Sequence, residues 1–167
     1  MNQSNLLRTG FNPSALIAAA LLALPAAAAD SSEDTYTWSA ELVAVDDQAG
    51  TITVQSRLVT EADTADLKAL KSGDQATLVW SGVNWAAGVR KVTRGALKGD
   101  DRLSLPIEFV STETEDRYVR FKVPVPRADL AKIEALAAGG WVTATSPRRP
   151  ANLAEAVASV RPYNDAG

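Results

Sequence analysis

Apolar and polar residues alternate along several short stretches of this chain, and this alternation limits the possible folds more than any other feature. Tyr36, Trp38, Ala40, Leu42 and Ala44 occupy every second position of the first such stretch. A period of two places successive side chains on opposite faces of a β-strand. The pattern therefore predicts a strand whose even-numbered residues face a core.

The same alternation recurs and predicts two β-hairpins. The first hairpin spans residues 36–59, and its turn contains Gly50, which suits a positive φ. The second hairpin spans residues 105–125, and Pro124 predicts that its last strand ends there or lies at a sheet edge, because proline has no N–H to donate. Further strands are predicted at residues 75–80, 89–93, 141–145 and 156–160.

A short helix is predicted after each hairpin. The first has Asp63 or Thr64 as its N-cap and Gly73 just past its C-terminus. The second spans residues 128–138, with its apolar face inward, and the glycine pair that begins at Gly139 ends it.

The two hairpin–helix units resemble each other. Residues 67–73 (LKALKSG) match residues 133–139 (IEALAAG) at a spacing of 66. Recurrence of the same elements in the same order indicates an internal repeat. We therefore predict a mainly β fold with short helices: a small antiparallel barrel of the OB or SH3-like kind, or a sandwich, built from two similar β-β-α-β-β halves. The halves are residues 36–98 and 103–163.

The first 29 residues have the pattern of a cleaved secretory signal peptide. Arg8 precedes the uncharged apolar run 15–24, Pro25 interrupts it, and small residues lead up to Ala29. The mature chain is then expected to start at Asp30 with an acidic leader, residues 30–35. An alanine-rich signal of this kind favours the periplasm of a Gram-negative cell.

The residue types that are missing exclude several chemistries. The chain contains no cysteine and no histidine, and its one methionine is Met1. Disulfides, Cys- or His-based metal sites and Ser-His-Asp catalysis are therefore excluded, and we expect no cofactor and no metal. Without residues 1–29 the chain has 16 basic and 20 acidic residues, which argues against nucleic-acid binding. No catalytic serine–lysine or G-x-S-x-G motif is present.

Four tryptophans are candidate core or binding residues. Trp38 and Trp141 lie in patterned strands and are predicted to be buried. Trp80, Asn84 and Trp85 fall in a predicted loop at a strand end, where exposed indoles could stack on a sugar or bury against a partner protein. This loop is the strongest candidate binding site in the sequence.

Two basic clusters are candidate contacts for an anionic envelope component. Arg90, Lys91 and Arg94 follow the tryptophan loop, and Arg148 and Arg149 lie between two prolines in the second half. Related halves could place both clusters on comparable faces, where they would attract an anionic partner and contact a membrane at most peripherally.

The leading functional hypothesis is a non-enzymatic periplasmic module that binds to an envelope protein complex as an accessory subunit. The first alternative is a glycan-binding β domain that uses Trp80 and Trp85. The second is a carboxylate-based glycosidase or lyase, which needs two carboxylates about 5–10 Å apart. Its candidate residues lie in the two hairpin turns: Asp46, Asp47, Glu113, Glu115 and Asp116.

Overall fold

The structure, a computed structural model, describes residues 34–84, 86–96, 101–113 and 117–163. The predicted signal peptide and residues 30–33 of the acidic leader lie outside this part. Eight strands and one short helix make the described chain mainly β, as the sequence predicted. The strands are β1 Thr35–Asp46, β2 Thr51–Asp63, β3 Gln75–Trp80, β4 Val89–Arg94, β5 Ser104–Glu113, β6 Tyr118–Pro124, β7 Trp141–Pro147 and β8 Ser159–Pro162; the helix is α1 Arg127–Ile133.

All eight strands belong to one sheet, in the order β4-β3-β5-β6-β2-β1-β7-β8. Every neighbouring pair in this order is antiparallel. The thirteen-residue β2 also pairs with β4, in parallel, where Leu58 lies beside Val89 and Asp63 beside Lys91. This contact, which the sequence did not indicate, closes five of the strands into a partial ring.

The predicted alternation determines which strand residues face the core, with one correction in β1. Trp38, Ala40 and Leu42 are buried as predicted. A β-bulge after Leu42 then shifts the register, so that Val45 packs against the core and Ala44 is exposed. An extra residue in one strand reverses the parity of everything that follows it, and the prediction for Ala44 is therefore wrong.

Both predicted helices are shorter in the structure. The first is only a 3₁₀ turn, Leu67–Ala69, whose N-cap Asp66 makes no side-chain capping hydrogen bond. A helix this short gains too few hydrogen bonds to form by itself, so burial of Leu67 and Leu70 holds the turn in place. The second helix is α1, which ends at Ile133 instead of residue 138.

Corresponding contacts recur in the two predicted halves. β-Bulges lie between Leu42 and Ala44 in β1 and between Phe109 and Ser111 in β5. The N–H of Gly73 donates to the Phe109 carbonyl at 2.8 Å, and the N–H of Gly139 donates to the Leu42 carbonyl at 2.9 Å. The strand order also reads the same from either end when β1–β4 are exchanged with β5–β8. Pairs of strands from the first and second segments thus alternate within one sheet.

Asp129 joins α1 to the sheet. Its side chain is buried, accepting a hydrogen bond from the Val160 N–H at 3.0 Å on Oδ2 and one from Lys132 Nζ at 2.6 Å on Oδ1. The Lys132 hydrogen bond, helped by that of Val160 and opposed by burial, holds the pKa of Asp129 below its ordinary value of 3.8. The carboxylate therefore stabilises the docking of α1 on β8.

Replacing Asp129 with alanine is expected to lower the free energy of unfolding at pH 7 by about 1–2 kcal/mol, because the Val160 N–H loses its acceptor. The pKa of Asp129 is lower in the folded protein than in the unfolded chain. The stabilisation is therefore complete above the ordinary pKa of an aspartate and is lost as the pH falls through the pKa of the folded state. Urea unfolding of both proteins at pH 7 and pH 3 measures the difference, which should shrink at the lower pH. A difference that stays constant would contradict the assigned role of the carboxylate.

Candidate functional site

Trp80 lies in the core, so the prediction that its indole is exposed is wrong. It is the last residue of β3, only 1% exposed, and it stacks on Trp38 with ring centroids 5.3 Å apart and planes 19° from parallel. The strand extends through Trp80 with the same parity as Ala76 and Leu78, which places all three side chains on the inner face. Its faces are covered and cannot stack on a sugar.

The remainder of the predicted tryptophan loop turns back towards β4. The Asn84 carbonyl accepts a hydrogen bond from the Ala87 N–H at 2.9 Å, and Asn84 is exposed. The Ser81 N–H donates to the Gly88 carbonyl at 2.8 Å and closes the base of the loop. Trp85 lies outside the described residues, so its proposed binding role stays a prediction.

The basic residues of β4 are each paired with an aspartate. Arg90 contacts Asp101, Lys91 Nζ lies 3.3 Å from Asp63 Oδ2, and Arg94 Nη2 lies 3.6 Å from Asp74 Oδ2. The Ala65 N–H and Lys91 hold the pKa of Asp63 below its ordinary value. The positive charge of this cluster is therefore locally balanced, which the sequence spacing did not indicate.

Arg148 and Arg149 follow directly after β7. Together with Asp34, Pro147 and Arg102 they line an open surface groove of about 720 Å³. The backbone N–H of Arg148 donates to the Asp34 carbonyl at 2.7 Å and anchors this end of the groove. Arg102 escaped the sequence analysis because it stands alone in a loop.

The two acidic hairpin turns lie at opposite ends of the β2–β6 pair. Thr51, next to the first turn, pairs with Pro124, whereas Tyr118, next to the second, pairs with Arg57. Six residues of β-strand separate the two ends, which is roughly 20 Å. This separation exceeds the spacing that two glycosidase carboxylates require. Glu115 and Asp116 lie outside the described residues.

The individual acidic side chains of these turns have other contacts. Asp46 Oδ1 accepts the Ala49 N–H at 2.9 Å, and Glu113 Oε1 lies 2.5 Å from Arg120 Nη2. Asp47 faces Glu134, and the hydrogen bond and charge of Asp47 raise the pKa of Glu134 above its ordinary value. Both carboxyl groups of this pair are on the solvent-exposed surface.

Among the described tryptophans Trp141 is the exposed one, and the prediction that it is buried is wrong. It begins β7 on the outer face, because Val142 and Ala144 point inward, and 43% of it is exposed. Its ring meets the half-exposed Tyr163 edge-on, with centroids 6.5 Å apart. The parity of Trp141 relative to Val142 and Ala144 is the sequence signal that could have revealed this exposure.

Trp141 borders a groove of about 370 Å³ on the outer face of β1, β2 and β7. We call it the Trp141 groove; its lining residues are Glu41, Gln55, Ser56, Arg57, Ala86, Ala87, Tyr118 and Trp141. Glu41 lies directly across from Trp141 on the neighbouring strand. Sequence analysis missed the groove because its members come from five separate segments that are brought together only in the folded chain.

Polar side chains of the Trp141 groove are held by hydrogen bonds to one another. Gln55 Nε2 donates to Glu41 Oε2 at 2.8 Å, and Arg120 Nε donates to Gln55 Oε1 at 2.9 Å. Arg57 Nη2 donates to the Ala86 carbonyl at 2.6 Å. In the described part of the chain, Glu41 Oε1 and the Tyr118 hydroxyl have no protein partner. The groove thus combines fixed polar groups with hydrogen-bonding capacity left for a ligand.

No known protein family, curated protein or solved structure matched the chain. Among the described residues, no helix is both long and apolar enough to span a membrane. The same residues contain no group of three or more acidic, histidine or cysteine side chains that could hold a metal ion.

Proposed function

We propose that this protein is an exported, non-enzymatic binding module that docks, as an accessory subunit, on a component of the bacterial cell envelope. The leader sequence supports export, with cleavage after Ala29 and a periplasmic location. The observation that carries the binding role is the exposed pair Trp141 and Tyr163 beside an open groove. Large exposed aromatic side chains are costly in water and are typical of binding surfaces.

The proposal includes a finer description of the fold. We propose a small antiparallel barrel of the OB or SH3-like kind, or a sandwich, built from two similar halves. The parallel β2–β4 contact supports closure, since it returns the edge strand β4 to the interior of the sheet. The recurring bulges and glycine hydrogen bonds support a relation between residues 36–98 and 103–163.

The open surface groove beside Arg148 and Arg149 is proposed as a secondary contact. Arg102, Arg148 and Arg149 bring three guanidinium groups to one opening, and only Asp34 among its lining residues is acidic. Guanidinium groups bind carboxylates and phosphates through paired hydrogen bonds, so an anionic envelope component suits this surface. The acidic charge of the whole chain argues against nucleic acid as that component.

Binding to envelopes tests this proposal. The purified exported protein is mixed with washed Gram-negative cell envelopes, and the fraction that sediments with them is measured against envelope concentration. We expect saturable binding, and we expect Trp141→Gln to weaken it about tenfold, because one central aromatic residue commonly carries that share of a binding free energy.

The matched control is Glu108→Ala. Glu108 lies across from Gln75 as Glu41 lies across from Trp141, but in the other half of the strand order. This variant should bind envelopes as the wild type does. Absence of saturable binding, or equal binding by the Trp141 variant, would contradict the proposed function. Treating the envelopes with protease beforehand separates a protein partner from a non-protein one.

A further inference from the structure

We infer that the Trp141 groove binds a neutral pyranose unit of a glycan. This inference rests on the proposed binding function and gives it a ligand class. Trp80 of the tryptophan loop that the sequence indicated is buried in the core. The indole that borders this groove is that of Trp141 in β7, and Ala86 and Ala87 of the loop line one side of it.

The indole of Trp141 provides the stacking surface. Tyr163 meets the Trp141 ring at 65° to its plane, so the two rings are not stacked face to face. The edge contact restrains the indole while nearly half of the residue stays exposed. A restrained aromatic ring loses little side-chain entropy when the apolar C–H face of a pyranose packs on it.

The polar groups beside the indole match sugar hydroxyls. Glu41 Oε1 is an unused acceptor, the Tyr118 hydroxyl can donate or accept, and Arg57 keeps N–H groups beyond the one bonded to the Ala86 carbonyl. A hydroxyl group donates one hydrogen bond and accepts others, so it can bridge Glu41 and Arg57. Gln55 and Arg120 hold the Glu41 carboxylate in place and reduce the reorganisation that binding requires.

The charge of the groove favours a neutral ligand. Glu41 and Arg57 are its two charged lining residues, and their charges cancel. An anionic sugar would meet the Glu41 carboxylate and a cationic one would meet Arg57, each with a repulsive contact. The volume of about 370 Å³ lies at the small end of ligand sites, which span about 300–1,000 Å³. A single sugar ring at the end or side of a longer chain suits this size.

The corresponding strands in the other half of the strand order show that the scaffold does not need these aromatic groups. Glu108 pairs with Lys122 and Gln75 there, in the register in which Glu41 pairs with Gln55 and Trp141. The cross-strand polar contact is kept, since Lys122 Nζ lies 3.3 Å from Glu108 Oε1. The exposed indole, however, is replaced by a glutamine. An exposed tryptophan at Trp141 is thus explained by ligand binding and not by the demands of the sheet.

Calorimetric titration with three neutral trisaccharides tests the inference: maltotriose, cellotriose and triacetylchitotriose. We expect at least one to bind the wild-type protein, and we expect Trp141→Gln and Glu41→Ala each to weaken binding about tenfold or more. Circular dichroism shows whether each variant is folded. Glu108→Ala makes the same change as Glu41→Ala at the corresponding position of the other half of the strand order, and should leave the affinity unchanged.

Two results would overturn the inference. The first is no heat of binding with any of the three sugars at millimolar concentration; the second is equal binding by the wild type and by folded Trp141→Gln. The outcome is separable from that of the envelope experiment. Envelope binding that depends on Trp141, together with no heat of binding for any of the three sugars, would retain the binding module and reject the glycan. Sugar binding without envelope binding would retain the site and reject the proposed docking role.

Discussion

Replacing Trp38 with alanine is expected to lower the free energy of unfolding by about 3–5 kcal/mol, the range for removing a large aromatic side chain from a packed core. Trp38 is 2% exposed, stacks on Trp80, and lies 6.0 Å from Phe121 between ring centroids. Its Nε1 also donates to Ser146 Oγ at 2.8 Å, in a position where Ser146 has no access to water. The substitution therefore leaves both a cavity and an unpaired buried hydroxyl.

Urea unfolding followed by far-ultraviolet circular dichroism measures this loss without relying on tryptophan emission. Trp141→Ala is the matched control: it removes the same side chain from the exposed outer face and should cost about 1 kcal/mol or less. Trp38→Phe keeps a ring against Trp80 and should fall between the two. A loss for Trp38→Ala no larger than that for Trp141→Ala would show that the stacked pair is not the centre of the core.

Gly88→Val is expected to destabilise the protein by about 3 kcal/mol, at the upper end of the usual cost of overpacking. A Cβ atom at Gly88 would lie 2.8 Å from the Arg57 carbonyl oxygen and 3.1 Å from a side-chain carbon of Val59. The first of these is a backbone atom, which cannot rotate away. Because Gly88 immediately precedes the Val89–Leu58 pair, the added side chain forces β2 and β4 apart at the point where the ring closes.

Amide hydrogen exchange shows where in the sheet the Gly88→Val substitution acts, as well as how strongly it destabilises the protein. We expect faster exchange in β4 and in the second half of β2, and little change between β1 and β7. Gly82→Ala is the control within the same loop, since its Cβ would meet only the Ala87 Cβ, at 3.8 Å. Unchanged stability of Gly88→Val, or exchange that rises evenly over the whole sheet, would show that the parallel contact does not hold the fold together.

The local sequence pattern predicted the positions of the strands well, but it predicted the burial of the tryptophans at their ends poorly. The six-residue β3 matches its predicted span of residues 75–80. The sequence alone nevertheless groups its final residue, Trp80, with Asn84 and Trp85 in a loop at the strand end. A strand's parity continues to its last residue, and here it directs the indole of Trp80 onto Trp38. The prediction that Trp141 is buried fails for the same reason. Trp141 is the first residue of β7, and its position in the alternation places its side chain on the outer face.

The candidate site was less predictable than the strands because it is made of long-range pairs. Glu41, Gln55 and Trp141 are far apart in the sequence, and only the registers of β1 with β2 and β7 make them neighbours. The basic stretch around Arg90 shows the converse case. Its charges are close in sequence, yet Asp63, Asp74 and Asp101 come from other segments to balance them.

The sequence by itself determined that the described chain is mainly β, because a period of two can bury one face only in a sheet. It also excluded disulfides and histidine chemistry, through residues that are absent. Only the tertiary structure decided that β2 pairs with β4 as well as with β1, that Trp80 is core and that Trp141 faces the solvent. These features depend on which strands pair and in which register. The free energy of pairing comes from contacts between residues that are distant in the sequence, and a local pattern contains no information about them.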